Sequence, residues 1–167
     1  GCPGLEVSFE ATGKNVDTYK WDFDDGNVPF GQNQQHVYEK PGRYFPKLII
    51  DDGLGCSVLL VSPTPVEILI PPAADFTTAS QVGCDGTPVT LENNTFSNDS
   101  IASYTWYLGD GNTAETEDVT HLYATSGQYD ISLVVTDING CMDSLNRPGY
   151  MNIIPDSVPE APPIHFV

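Results

Sequence analysis

The chain has 167 residues, with 6 basic against 23 acidic side chains and a formal net charge of −17. That balance excludes a nucleic-acid partner, whose phosphates call for Lys and Arg. It also argues against an anionic membrane surface, and no apolar run approaches the roughly 20 residues of a spanning helix. With 40% hydrophobic residues, 15 Gly and 14 Pro, the composition is that of a turn-rich globular protein and not of a disordered acidic tail. A charge excess of one sign favours a soluble monomer and gathers cations.

Read from the start, Cys2-x-Gly4-x-x-Val7-x-Phe9 opens a short alternating run. Tyr19, Trp21 and Phe23 then share one face, the period of a half-buried strand, and Asp25-Gly26-Asn27 supplies a tight turn. His36-x-Tyr38 and Gly42-x-Tyr44 follow, then a strand ending at Asp52 and a turn through Gly55-Cys56. Pro46 lies inside that last stretch; it cannot donate to a ladder, which predicts an edge or a bulge there. Pro63, Pro65 and Pro71-Pro72 punctuate the next passage as a semi-rigid connector.

Beyond it the pattern returns. Tyr104, Trp106, Leu108, Asp110-Gly111-Asn112, His121, Tyr123, Gly127, Tyr129, Gly140 and Cys141 repeat their counterparts at an offset of 85, and Cys84, Gly86 and Val89 at an offset of 82. Such self-similarity means two copies of one unit. We expect repeat 1 over 1–71, repeat 2 over 72–154, and in 155–167 a linker plus the start of a third copy, since Ile164-His165-Phe166 follows Pro162-Pro163 much as Ala74-Asp75-Phe76 follows Pro71-Pro72. The first copy starts at its Cys and lacks the segment equivalent to Ala74–Phe76, so both ends read as cuts within a longer array. No window shows a helical period, and the alternation predicts an all-β chain of two small antiparallel β-sandwiches of about seven strands each.

Four cysteines allow three pairings. Repeat symmetry selects Cys2–Cys56 and Cys84–Cys141, one bridge inside each unit and no free thiol. Their use in an acidic, turn-rich chain predicts an oxidising, extracellular setting.

These motifs resemble the PKD domain, an immunoglobulin-like β-sandwich common in microbial surface proteins. The family pattern W-D-F-G-D-G, H-x-Y, G-x-Y and D-x-x-G appears as Trp21–Gly26, His36-x-Tyr38, Gly42-x-Tyr44 and Asp52–Gly55, and again as Trp106–Gly111, His121-x-Tyr123, Gly127-x-Tyr129 and Asp137–Gly140. Asp24 stands where the family has Gly, and Tyr107-Leu108 where it has Asp-Phe. A Cys after the last Gly, with a partner near the domain start, is similar to the variant in long surface proteins of Bacteroidetes, including gliding adhesins exported by the type IX system. The resemblance implies two tandem immunoglobulin-like sandwiches in a cell-surface or secreted adhesin, neighbouring repeats of the same chain as partners, and a surface glycan or protein as ligand. Accessory modules of secreted peptidases or polysaccharide hydrolases carry such domains too.

No catalytic pattern is present in the sequence: there is no G-x-S-x-G, H-E-x-x-H or phosphate loop. His36 and His121 recur at one repeat position and read as turn residues, and Trp21 and Trp106 as core. Asp22, Asp24 and Asp25 form the candidate cation site, calcium being the hard ion such oxygens suit; a solvated acidic turn is the competing reading. Tyr107 and Phe45 fall on the outward faces of their strands and are the candidate ligand contacts.

Overall fold

The computed structural model describes residues 1–156, so the third-copy start expected from Ile164 onward lies outside the described residues. The chain divides into two compact units: Gly1–Pro71 with Asn139–Cys141, and Pro72–Ile138 with the chain from Met142 on. Both are all-β.

The first unit contains β1 (Leu5–Phe9), β2 (Thr18–Asp22), β3 (Gln34–Tyr38), β4 (Gly42–Tyr44), β5 (Lys47–Asp51), β6 (Ser57–Val61) and β7 (Val66–Ile68). β1 pairs with β3, β2-β5-β6 form a three-stranded sheet, and β4 pairs with β7. Pro46 separates β4 from β5, as a residue without an N–H must, while its carbonyl accepts from the Ser62 N–H at 2.8 Å. The core is Trp21, Phe23, Tyr38, Leu48 and Ile68, with Phe9, Tyr19 and Tyr44 packed on it. Edge strand β6 leaves Val58, Leu59, Leu60 and Val61 at least half exposed on both faces, an unusual edge for a soluble protein.

The second unit contains β8 (Phe76–Thr78), β9 (Val82–Cys84), β10 (Pro88–Asn93), β11 (Ile101–Tyr107), β12 (Thr113–Ala114), β13 (Val119–Leu122), β14 (Gly127–Asp137) and β15 (Met142–Ile154). One sheet has the order β13-β10-β8, the other β12-β11-β14-β15-β9. Where the first unit breaks at Pro46, β14 runs on with a register shift between Tyr129 and Ile131. The β9–β15 pair is parallel, a departure from the purely antiparallel expectation. Alternation along β14 buries Ile131, Leu133 and Val135 completely, against Phe76, Trp106, Leu108, Tyr123 and Met151.

The expected cysteine pairing is corrected. Cys2 is bonded to Cys141, and Cys56 and Cys84 are free thiols. The reason lies in the strands. Cys141 precedes β15 and Cys84 pairs with Ile154 at its far end, and at ~3.3 Å per residue the two are on the order of 40 Å apart. Cys56 likewise precedes β6, whereas Gly1 sits at the end of β7, its carbonyl accepting from the Leu69 N–H at 2.7 Å. A disulfide needs Cα atoms within ~7 Å, so Cys84 cannot reach Cys141, and Cys2 is taken by its bond to Cys141. Ahead of β8, the Ala74 N–H donates to Asp143 Oδ2 at 2.8 Å.

Candidate functional site

Each Asp-Gly-Asn turn is built the same way. The Phe23 N–H donates to the Asn27 carbonyl and the Leu108 N–H to the Asn112 carbonyl, both at 3.1 Å, with Gly26 and Gly111 at positive φ. A buried tyrosine braces each turn from below: Tyr38 Oη donates to the Phe23 carbonyl at 3.1 Å and Tyr123 Oη to the Leu108 carbonyl at 3.0 Å. Burial, followed by the nearby carboxylates, pushes both phenols well above the ordinary tyrosine range.

The histidines complete the pattern. His36 Nε2 donates to Asp25 Oδ2 at 2.6 Å, and His121 Nε2 to Asp110 Oδ2 at 2.7 Å. Nδ1 of His36 faces Asn27 Nδ2 at 3.5 Å. Burial raises the Asp110 carboxyl, but the bonds from His121 and Asn112 outweigh it, and its pKa lies below the usual carboxylate value. Trp21 Nε1 donates to the Gly31 carbonyl at 3.0 Å and Trp106 Nε1 to the Thr116 carbonyl at 2.9 Å, so both indoles are core residues with satisfied donors. The polar groups that recur in register thus have structural bonds in both copies.

The acidic cluster of the first unit is private to it. Asp22 Oδ1 accepts from the Asp24 N–H at 3.0 Å, closing a local turn. Asp24 Oδ2 accepts from the Phe45 N–H at 3.0 Å and its Oδ1 from Lys47 Nζ at 2.9 Å, with Asp22 Oδ2 3.5 Å from the same ammonium. The Lys47 bond, then the Phe45 N–H, lowers the Asp24 pKa, and the Asp24 bond raises that of Lys47. Asp25 faces the other way, towards His36. The three carboxylates do not converge: a lysine sits between two of them. Among the described residues no group of three or more His, Cys, Asp or Glu side chains is arranged to hold a metal ion.

Asp24 takes the left-handed conformation at φ 65°, as Gly109 does at φ 80° in the second copy. At Gly109 a Cβ would stand 2.6 Å from the Asp130 carbonyl oxygen. In the first unit Pro46 breaks the strand after Phe45, the counterpart of Asp130, and the Asp24 side chain bonds to the Phe45 N–H instead. The departure from the Gly pattern is a compensated exchange.

Phe45 and Tyr107 are exposed, at 38% and 50%. Each lies in its own unit: Phe45 beside Asp24, Tyr107 at the end of β11, where it pairs with Thr113. Sequence reasoning missed two more exposed aromatics, Phe30 at 67% and Phe96 at 69%. Phe30 bridges to Lys20, whose ammonium stands 5.7 Å from the ring, and Phe96 exchanges both backbone bonds with Ala73. Their signal was an aromatic in a loop rich in Pro, Gly and Asn with no counterpart in the other copy.

The PKD domain pattern matches residues 1–64 and 70–152. A microbial collagenase of Vibrio alginolyticus is 42% identical over 65 residues, 38% of this chain and 8% of the collagenase. Among solved structures, a carbohydrate-binding module of the β-sandwich superfamily aligns at 26% identity and TM-score 0.49, covering 53% of this chain and 36% of that one. The first PKD domain of the Vibrio cholerae metalloprotease PrtV aligns at 32% identity and TM-score 0.41, covering 47% and 93%. This chain therefore spans only a small part of the curated relative that it matches. With both repeats matched across nearly their full length, the chain belongs to the PKD domain family.

Proposed function

We propose that the chain is a non-catalytic spacer and contact segment of an extracellular protein of the cell-surface adhesin type, holding neighbouring domains apart and meeting a surface glycan or protein. The observation that carries this reading is the repetition of structural bonds: both His–Asp pairs, both tyrosines and both indoles do the same packing work in each copy. PKD domains are typically non-catalytic, and a disulfide supports an oxidising compartment. The surface role rests on the exposed aromatics, with Phe45 and Tyr107 as contacts. Calcium at Asp22 and Asp24 would have to displace Lys47.

A second reading, an accessory module of a secreted peptidase or polysaccharide hydrolase, is favoured by the identity with the collagenase stretch. Blotting whole cells with an antibody to this chain, before and after mild external proteolysis, separates the two. A protease-sensitive surface band of several hundred kilodaltons fits the adhesin. A band near a hundred kilodaltons in the medium overturns it in favour of the accessory module.

A further inference from the structure

The outward face of the central sheet differs between the two units position by position. In the first unit Trp21 and Leu48 point into the core, so alternation turns Lys20 and Asp22 of β2 and Lys47 and Asp51 of β5 outward. In the second, Trp106, Ile131, Leu133 and Val135 are fully buried, which turns Thr105 and Tyr107 of β11 and Ser132 and Thr136 of β14 outward. The two sets are counterparts at the repeat offset, and the strand registers agree: Asp22 lies opposite Lys47 as Tyr107 lies opposite Ser132. All four charged positions of the first face therefore carry hydroxyls on the second. The adjoining strand follows suit, with Leu59 and Val61 of β6 replaced by Ser144 and Asn146 of β15.

Strand formation does not demand this exchange. The first unit builds the same sheet with two lysines and two aspartates on that face, Lys47 Nζ standing 3.5 Å from Asp22 Oδ2. Composition does not demand it either, because carboxylates greatly outnumber Arg147 between residues 72 and 154. The acidic residues of β14 and β15 stay out of the hydroxyl set. Asp137 is buried, Asp143 sits opposite buried Val135, and Asp130 accepts from the Gly149 N–H at 2.6 Å. Thr suits a strand, but Asn is depleted from strands, so propensity does not account for Asn146. Tyr107, Ser132 and Asn146 stand side by side on three neighbouring strands, about 5 Å from one to the next. The Ser132 hydroxyl donates to Asn146 Oδ1 at 2.9 Å, which orients the amide. Asn146 and Ser144 are exposed, and Tyr107 is half exposed.

We infer that this hydroxyl face of the second unit is a binding platform for a neutral polysaccharide, an inference that rests on the contact role proposed above and names its ligand class. The chemistry of the face selects that class. It offers no ammonium or guanidinium group to an anionic polymer, which the chain's net charge of −17 also repels. It offers no carboxylate to a cationic partner. Among the described residues it lacks the clustered aromatic and Arg anchors that carry a protein interface. Hydroxyls and a carboxamide both donate and accept, as the hydroxyls of uncharged sugar rings do. Polar groups covered by a ligand must be paired in that way or they cost binding energy. The exposed ring of Tyr107 supplies apolar surface against which the C–H face of one sugar packs, while its Oη stays available as a polar handle. The first unit, charged at four of these positions, is excluded from the site and serves as its internal control.

The test is native affinity electrophoresis of the 167-residue chain through gels cast with hydroxyethyl cellulose, laminarin or galactomannan, with alginate as the anionic comparison. A net charge of −17 drives the chain towards the anode, so retardation reads binding directly. We expect retardation in at least one neutral gel and none in alginate. The decisive variant transplants the first face onto the second: Thr105→Lys, Tyr107→Asp, Ser132→Lys and Thr136→Asp together leave the net charge unchanged and recreate a pattern this fold already holds. It should keep the parent's mobility in a plain gel and its melting temperature to within a few degrees, and weaken retardation at least tenfold. Tyr107→Ala, at a half-exposed side chain, reads the same site without the added charges and should weaken retardation several-fold. Absence of retardation in every neutral gel, equal retardation in alginate, or retardation indifferent to both variants each overturns the platform. Retardation lost with Phe45→Ala instead overturns it as well but leaves the contact role standing, whereas the adhesin reading falls only on the whole-cell blot.

Discussion

The first and second units share a motif set yet are closed to different degrees. Trp21 and Leu48 keep 7% and 8% of their surface, whereas Trp106 and Leu133 keep none, and Phe9 is half-buried where Leu91 is buried. The cause is β8 and the residue that clamps it. Arg147 is the sole Lys or Arg between residues 72 and 154. Its guanidinium lies 2.6 Å from Asp75 Oδ1, bonds to the Phe76 carbonyl, and stacks 4.6 Å from the Phe76 ring and 5.1 Å from the Tyr150 ring. Repetition of sequence thus gives the same turns twice, but the completeness of each core depends on one short strand.

The sharpest way to break the comparison is at the cysteines, where equivalent positions should behave oppositely. Cys141→Ser opens a bridge of sequence separation 139 at a fully buried residue; on the chain-entropy model the loss is at most about 5 kcal/mol. Cys56→Ser and Cys84→Ser should stay within about 0.5 kcal/mol of the parent, since both residues are free thiols. Denaturant unfolding under non-oxidising conditions reads all three, and a large loss for Cys84→Ser would restore the intra-repeat pairing.

Next in size is Phe76→Ala, which removes a fully buried ring from the core of the second unit. Removing a fully buried Phe costs about 3–5 kcal/mol. The single tryptophan of each unit reports its own transition, so Trp21→Phe and Trp106→Phe backgrounds assign the loss. A change below about 1 kcal/mol in the Trp106 signal would mean that β8 does not account for the difference. Gly109→Ala follows, at about 2 kcal/mol, because a Cβ there meets the Asp130 backbone at 2.6 Å and φ is 80°. Asp24→Ala at the equivalent position tests the exchange from the other side: it should cost less, since its Cβ is already accommodated, and it should remove the partner that raises the Lys47 pKa.

The sandwich, the turns and the tryptophan positions were legible because period-2 alternation and Asp-Gly-Asn state them locally, and the repeat stated them twice. Pro46 announced its break for a similarly local reason. The cysteine pairing was not legible. Repeat symmetry says which residues are equivalent, but which ends of a sandwich they occupy depends on strand direction, and β15 carries Cys141 and the partner of Cys84 to opposite ends. The arrangement of the acidic cluster was not legible either, for the converse reason. Asp22, Asp24 and Asp25 are neighbours in sequence, yet the turn sends Asp25 to His36, and Lys47 arrives from the adjacent strand to take the other two. Phe30 and Phe96 escaped notice because they lie in loops, where alternation gives no inward or outward sign.

The smallest effect is a pH dependence that belongs to the second turn. Folding holds the Asp110 pKa below the usual carboxylate range, its burial outweighed by bonds from His121 and Asn112. A carboxyl depressed by folding stabilises the native state above its unfolded pKa, and that contribution is lost as pH falls through the folded one. Between about pH 5 and pH 2, therefore, the Trp106 transition should weaken faster in the parent than in Asp110→Asn, whose amide does not titrate. The same substitution weakens the bond to His121 at every pH, so the variant starts lower at pH 7 and the two curves converge in acid. Curves that stay parallel across that window would show that Asp110 has no part in acid sensitivity, and would leave the His121–Asp110 bond a matter of geometry alone.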